Sequence, residues 1–223
     1  MLSNFSLRTL IYLSSVSFLL GCTQKMNDVG SSLSEAFSAS DDVTLSQEEI
    51  SSLPYASTYV RINDGRQVFM VLAFADLNPT TGNTQLKWAS TDGSMIATEQ
   101  GRIVKTLGFD GSNLINITGK GISTGIITDS QWSAVYDWSP DNRYQFSASV
   151  NSTFINRETI STNQWTLETN RIDEHVNFCE LNEAFTNSYW ITDAGETMKS
   201  IQYIGPNMNK FEMTILKTFA PAK

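Results

Sequence analysis

Trp132-Ser133-Ala134-Val135-Tyr136-Asp137-Trp138-Ser139-Pro140-Asp141-Asn142-Arg143-Tyr144-Gln145-Phe146-Ser147-Ala148-Ser149-Val150 is the stretch that decides the fold. Trp132, Ala134, Tyr136 and Trp138 fall on one face of an extended chain. Tyr144, Phe146, Ala148 and Val150 do the same after Pro140-Asp141-Asn142 turns it back. Ser, Gln and Asp fill most of the alternate positions, so one face is apolar and the other wet. That is the pattern of a half-buried antiparallel pair.

The same alternation recurs on both sides of this hairpin. Val60 and Ile62 alternate with Tyr59 and Arg61, and Asp64-Gly65 marks a tight turn. The run from Val68 to Phe74 is apolar throughout and reads as a strand buried on both faces. Asp92-Gly93 and Asp110-Gly111 repeat the turn signal among strands expected at 84–89, 94–98, 102–109 and 113–118. Later strands are expected at 162–168, 175–181, 188–192, 199–204 and 211–218, with Asp193-Ala194-Gly195 as a further turn. Short strands with turns at this spacing predict an all-β antiparallel meander that forms a sandwich or open barrel over residues 53–223. Few long helical patterns interrupt it, which excludes a parallel α/β sheet.

The N-terminal part reads differently. Arg8 precedes an apolar stretch from Leu10 to Leu20, and Leu19-Leu20-Gly21-Cys22 follows the pattern of a lipoprotein signal. The stretch spans 11 residues, whereas a bilayer-crossing helix needs about 20. Residues 1–21 are therefore expected to be a cleaved signal, with Cys22 acylated and anchored in the membrane. The several acyl chains of such an anchor make attachment stable. Thr23 favours the outer membrane by resemblance to known lipoproteins. Residues 22–52 form a lipid-anchored polar leader with short helices. Met26, Val29, Leu33 and Phe37 share a helical face, although Gly30 weakens it. Ser46 and Glu49 make a capping box, and Pro54 ends the helix that follows.

The bulk numbers narrow the function classes. The chain holds 15 Lys and Arg against 23 Asp and Glu, a net charge of −8. Nucleic acid needs clustered cations and is not an expected partner. With Cys22 acylated, Cys179 has no disulfide partner in the chain and is expected in the interior of a strand. His175 is the one histidine, flanked by Asp173 and Glu174, and reads as a surface residue paired with those acids. On a strand it lies about 13 Å from Cys179, so the two do not predict a metal site. No phosphate loop or nucleophile elbow is present, and no acid interrupts an apolar run as a buried catalytic carboxylate would. No catalytic residue, metal or cofactor is expected. Tyr55, Tyr59 and Arg61, with Trp88, form a polar-aromatic group that marks a candidate ligand or partner surface. Packing and turn roles are the competing assignment, because aromatic residues also fill β cores.

Five segments carry a family resemblance. They are 53–65, beginning Leu53-Pro54-Tyr55, then Leu86-Lys87-Trp88, Gly101-Arg102-Ile103-Val104-Lys105-Thr106, Tyr189-Trp190-Ile191-Thr192-Asp193 and Phe211-Glu212-Met213-Thr214-Ile215-Leu216-Lys217. With the lipobox, they make the chain resemble the YjbF/GfcB family of group 4 capsule and exopolysaccharide lipoproteins. The resemblance implies an all-β lipoprotein of the outer membrane that faces the periplasm and has no enzymatic activity. It implies a non-enzymatic accessory role in capsule or exopolysaccharide assembly or export. An outer-membrane β-barrel protein, periplasmic proteins of a polysaccharide operon, and polysaccharide itself are the implied partners. Of residue roles, it implies only lipid attachment at Cys22. Two rivals stand beside it: a half-barrel carrier or receptor for acyl chains or lipoproteins, and a polysaccharide-modifying enzyme.

Overall fold

The computed structural model describes residues 42–141 and 143–220. Cys22 and the leader helix expected from Met26 to Phe37 lie outside the described residues. The capping box is present: the Ser46 hydroxyl accepts from the Glu49 amide, and the Glu49 carboxylate accepts from the Ser46 amide. It opens the short helix α1 (Gln47–Ser52), and Leu53, extended before Pro54, closes it.

Twelve strands follow. They are β1 (Ser57–Ile62), β2 (Gln67–Leu77), β3 (Thr84–Ala89), β4 (Met95–Glu99), β5 (Arg102–Leu107) and β6 (Asn113–Thr118). After helix α2 (Lys120–Thr124) come β7 (Gln131–Ser139), β8 (Arg143–Ser161), β9 (Thr166–Phe178), β10 (Glu183–Ile191), β11 (Thr197–Tyr203) and β12 (Lys210–Lys217). All pairs are antiparallel in one sheet, ordered β5-β4-β3-β2-β1-β12-β11-β10-β9-β8-β7-β6. The first strand pairs with the last, so the edges are β5 and β6, which are consecutive in the chain. The sheet curls until these edges touch, without a backbone ladder between them among the described residues. A nearly closed barrel results, with its seam in mid-sequence.

The deciding hairpin forms as β7 and β8, with Ala134 opposite Ala148 and Trp132 opposite Val150. Ala134, Tyr136, Trp138, Ala148 and Val150 are buried in the main core with Val60, Met70, Trp88, Phe178 and Phe211. Aromatic rings dominate one part of it: Trp138 lies 5.3 Å from Phe146, 5.5 Å from Tyr136 and 5.6 Å from Phe178 between centroids. The Trp138 indole donates to the Ile204 carbonyl at 2.6 Å, satisfying its polar edge. Tyr144, expected on the core face, is exposed. Gln145 takes φ +63°, and the register gains a residue between Phe146 and Arg143. That bulge turns Tyr144 outward.

Three further expectations change. The apolar run of β2 is buried at Phe69 and Met70, but Phe74 is 61 % exposed, because the β2 segment after Leu72 lies outside the core. Residues 162–165 form a turn, not a strand: the Thr162 hydroxyl accepts from the Gln164 and Trp165 amides. Strand β9 ends at Phe178, and Cys179 lies exposed in the next turn, not buried. The alternation that buries Val176 and Phe178 stops where that turn begins.

Segment 42–53 packs on the barrel. Val43, Leu45, Ile50 and Leu53 are buried beside Tyr59 and Phe69, whose rings meet edge to face at 6.1 Å.

Candidate functional site

A line of buried polar groups crosses the interior behind the seam. On β5, the Arg102 guanidinium donates to the Glu174 carboxylate of β9 at 2.5 Å and to the Gly121 carbonyl of α2 at 2.8 Å. The Ser152 hydroxyl donates to the same carboxylate oxygen at 3.0 Å. Arg102 also lies 5.0 Å from the Trp132 ring and 5.9 Å from that of Tyr189, within cation–π range. Burial pushes the hydroxyls of Tyr136 and Tyr189 above the ordinary tyrosine range.

Gln202, from β11, completes the arrangement at the sheet edge. Its amide oxygen accepts from the Ile103 amide at 2.9 Å, and its amide nitrogen donates to the Gly101 carbonyl at 3.0 Å. One side chain thus satisfies an edge strand that lacks a neighbouring ladder there. Farther along β5, the Leu114 amide of β6 donates to the Thr106 hydroxyl at 2.9 Å. Side chains close the seam where strands do not.

A cleft of about 490 Å³ opens along this seam. Lys105 of β5, Asn116 and Thr118 of β6, Ser123 of α2, the loop from Asn78 to Thr81, and Glu99 line it. Glu99 is 1 % exposed. Its carboxylate accepts from Asn78 Nδ2 at 2.6 Å, Thr81 Oγ1 at 2.7 Å and Gln85 Nε2 at 2.9 Å. Val104, Ile117 and Ile122 add an apolar part to the lining.

The sequence-predicted surface does not assemble as one exposed patch. Tyr55 is 48 % exposed. Tyr59 is buried under segment 42–53, its hydroxyl accepting from the Leu45 amide at 2.6 Å. Arg61 forks onto Asp42 and holds that carboxyl below its usual range. Trp88 faces the opposite side of the sheet, 1 % exposed in the core, and its indole donates to Thr98 at 3.0 Å. Trp88 does line a second cavity, of about 380 Å³, walled also by Leu86, Met198, Ile215 and Phe219.

Glu99 and Glu174 are buried, although neither interrupts an apolar run of the sequence. Glu174 sits in the alternation Ile172, Glu174, Val176 that faces the core, a signal masked by its polar neighbours Asp173 and His175. Both acids beside His175 are therefore committed elsewhere, Glu174 to Arg102 and Asp173 to Arg171. His175 itself is exposed, its Nδ1 3.4 Å from the Thr186 hydroxyl. Among the described residues, no three of His, Cys, Asp and Glu gather as a metal would require.

A sequence profile described as YjbF, group 4 capsule polysaccharide lipoprotein GfcB, YjbF, matches residues 30–216. The chain belongs to the YjbF/GfcB family. It is similar to the lipoprotein GfcB of Escherichia coli K12, with 30 % identity over 90 % of this chain and 94 % of GfcB. The family's second E. coli K12 lipoprotein, YjbF, is 28 % identical over 89 % of this chain and 92 % of its own length. The crystal structure of the lipoprotein YmcC from E. coli K12 has the same fold. It superposes with a TM-score of 0.70 at 27 % identity, covering 91 % of this chain and all of that one. Family membership makes the chain a capsule-associated lipoprotein of the cell envelope.

Proposed function

We propose that this protein is a non-enzymatic accessory factor in capsule or exopolysaccharide assembly or export, lipidated at Cys22 and facing the periplasm from the outer membrane. The observation that carries the reading is the family match over residues 30–216. The geometry agrees with it. The main core fills with apolar side chains, and Glu174 is consumed by Arg102. Among the described residues that line the seam cleft Glu99 is the one carboxylate, whereas glycosidases work with a pair. The partners that suit this role are an outer-membrane β-barrel protein, periplasmic proteins of the same operon, and the polymer.

Deletion of the gene should lower surface polysaccharide, and the wild-type chain should restore it. A Cys22→Ser chain should not, if anchoring is required. In-cell crosslinking should recover an outer-membrane β-barrel protein. Unchanged surface polymer in the deletion strain would remove this reading.

The cavity under Trp88 favours a second reading, an acyl-chain carrier, because Leu86, Trp88, Met198, Ile215 and Phe219 give it an apolar wall. Lipid extracted from the purified protein, in stoichiometric amount and beyond its own anchor, would support that reading over the first.

A further inference from the structure

We propose that the seam cleft is a saccharide-binding site in which the buried carboxylate of Glu99 accepts a hydrogen bond from a sugar hydroxyl. The source of the saccharide, the capsular polymer, rests on the function proposed above; the chemistry rests on the cleft.

The cleft's volume of about 490 Å³ falls within the range of small-molecule sites, which runs from about 300 to 1,000 Å³. Buried charges are ordinarily paired with an opposite charge. Among the described residues no cation forms an ion pair with Glu99, and its three partners are a hydroxyl and two amides. A carboxylate has about four acceptor positions. One therefore remains, on a group that lines the cleft. A hydroxyl donor there makes a charge-assisted bond, about twice as strong as a neutral one.

The rest of the lining fits the same ligand. Asn116 and Thr118, exposed on β6, both donate and accept, as sugar hydroxyls require. Ile115 of β6, half-buried in the lining, gives the C–H face of a sugar ring something apolar to rest on. An anion is disfavoured, because among the described residues Lys105 is the one cationic side chain in the lining and Glu99 opposes it. An acyl chain would strip water from the amides and hydroxyls without replacing it. A divalent cation would find a single carboxylate.

The test uses the full lipidated chain in detergent and oligosaccharides cut from the producing strain's own exopolysaccharide. Titration calorimetry should show binding. Glu99→Gln should weaken it about tenfold, the scale of one hydrogen bond to a charged group. Asn116→Trp, at an exposed position, should block the cleft and abolish binding with the circular dichroism spectrum unchanged. If Glu99→Gln fails to fold, Asn116→Trp carries the test alone. Absence of binding, or binding indifferent to Asn116→Trp, in a strain whose surface polymer depends on the protein would overturn the site and leave the capsule role standing. Binding lost on Asn116→Trp in a strain whose surface polymer does not depend on the protein would support the site and overturn the capsule role.

Discussion

Arg102 on β5 and Glu174 on β9 meet at 2.5 Å with side chains 4 % and 2 % exposed, 72 residues apart in the chain. The pair ties a sheet edge to a strand that shares no ladder with it. Its value is not that of a surface salt bridge. Removing one member leaves the other charged, buried and uncompensated, which typically costs about 3–5 kcal/mol. Arg102→Met should lower the unfolding free energy by about that amount in urea titrations. Adding Glu174→Gln to it should recover part of the loss, since the stranded charge is then gone. An unchanged denaturation midpoint in Arg102→Met would refute the argument.

Alkaline pH should weaken the same region. The hydroxyls of Tyr136 and Tyr189 are raised above the ordinary value near 10, chiefly because burial disfavours the phenolate. A raised folded-state pKa means stability that is complete below about pH 10 and falls as pH rises toward the folded value. Each such group steepens the fall by up to about 1.4 kcal/mol per pH unit. Tyr136→Phe should flatten the curve of stability against pH above 10 without altering its shape near neutrality.

Tyr59 should act through the segment that covers it. Its hydroxyl is the acceptor for the buried Leu45 amide. Tyr59→Phe should lower stability by about 1 kcal/mol and speed hydrogen exchange at Leu45 more than at strand β7. Acid should loosen the same segment. Asp42 is held low first by its hydrogen bond from Arg61 and then by the Gln67 amide. Its contribution is present above pH 3.8, the ordinary value, and is lost as pH falls through the lowered one. Asp42→Asn should remove this acid step in exchange rates near Val43.

How much of this was legible beforehand differs between elements. The β7–β8 hairpin could be read because Trp132, Ala134, Tyr136 and Trp138 share one face with Val135 alone breaking the polar alternation between them, and local patterning decides which face is buried. Ser46 and Glu49 could be read because a capping box is completed within four residues. The interior polar line could not. Arg102, Glu174 and Gln202 are polar residues at core-facing positions, and what makes them tolerable is a partner on a distant strand. Glu99 was hidden for the same reason, since its donors come from the β2–β3 loop and β3. The seam cleft was out of reach because it depends on which strands become edges. That follows from the pairing of β1 with β12. The surface expected from Tyr55, Tyr59, Arg61 and Trp88 divided because Tyr59 and Trp88 lie on opposite faces of one sheet.

Gly101 offers a steric test of the packing around Gln202. It takes φ +81°, and a Cβ there would stand 2.2 Å from the Thr197 hydroxyl oxygen and 2.4 Å from its Cβ. Gly101→Ala should destabilise the protein by more than about 1 kcal/mol, the scale of backbone strain alone. Gly101→Ala with Thr197→Gly should recover the steric part and retain the backbone part. Thermal melts of the two variants beside the wild type measure the split.

Strand β1 finds its outer neighbour in β12, and the Thr58 hydroxyl donates to the Thr214 carbonyl across 156 residues of sequence. Order in the first strand of the sheet therefore awaits the twelfth. Closing so long a loop is entropically slow and makes for a high contact order. Until it happens, β1 presents an unpaired edge to any other chain. A nascent chain stopped short of residue 210 would hold eleven strands and no ladder between β1 and β11. Truncation near the C-terminus should thus be read out as aggregation during biogenesis, long before any measurement of function.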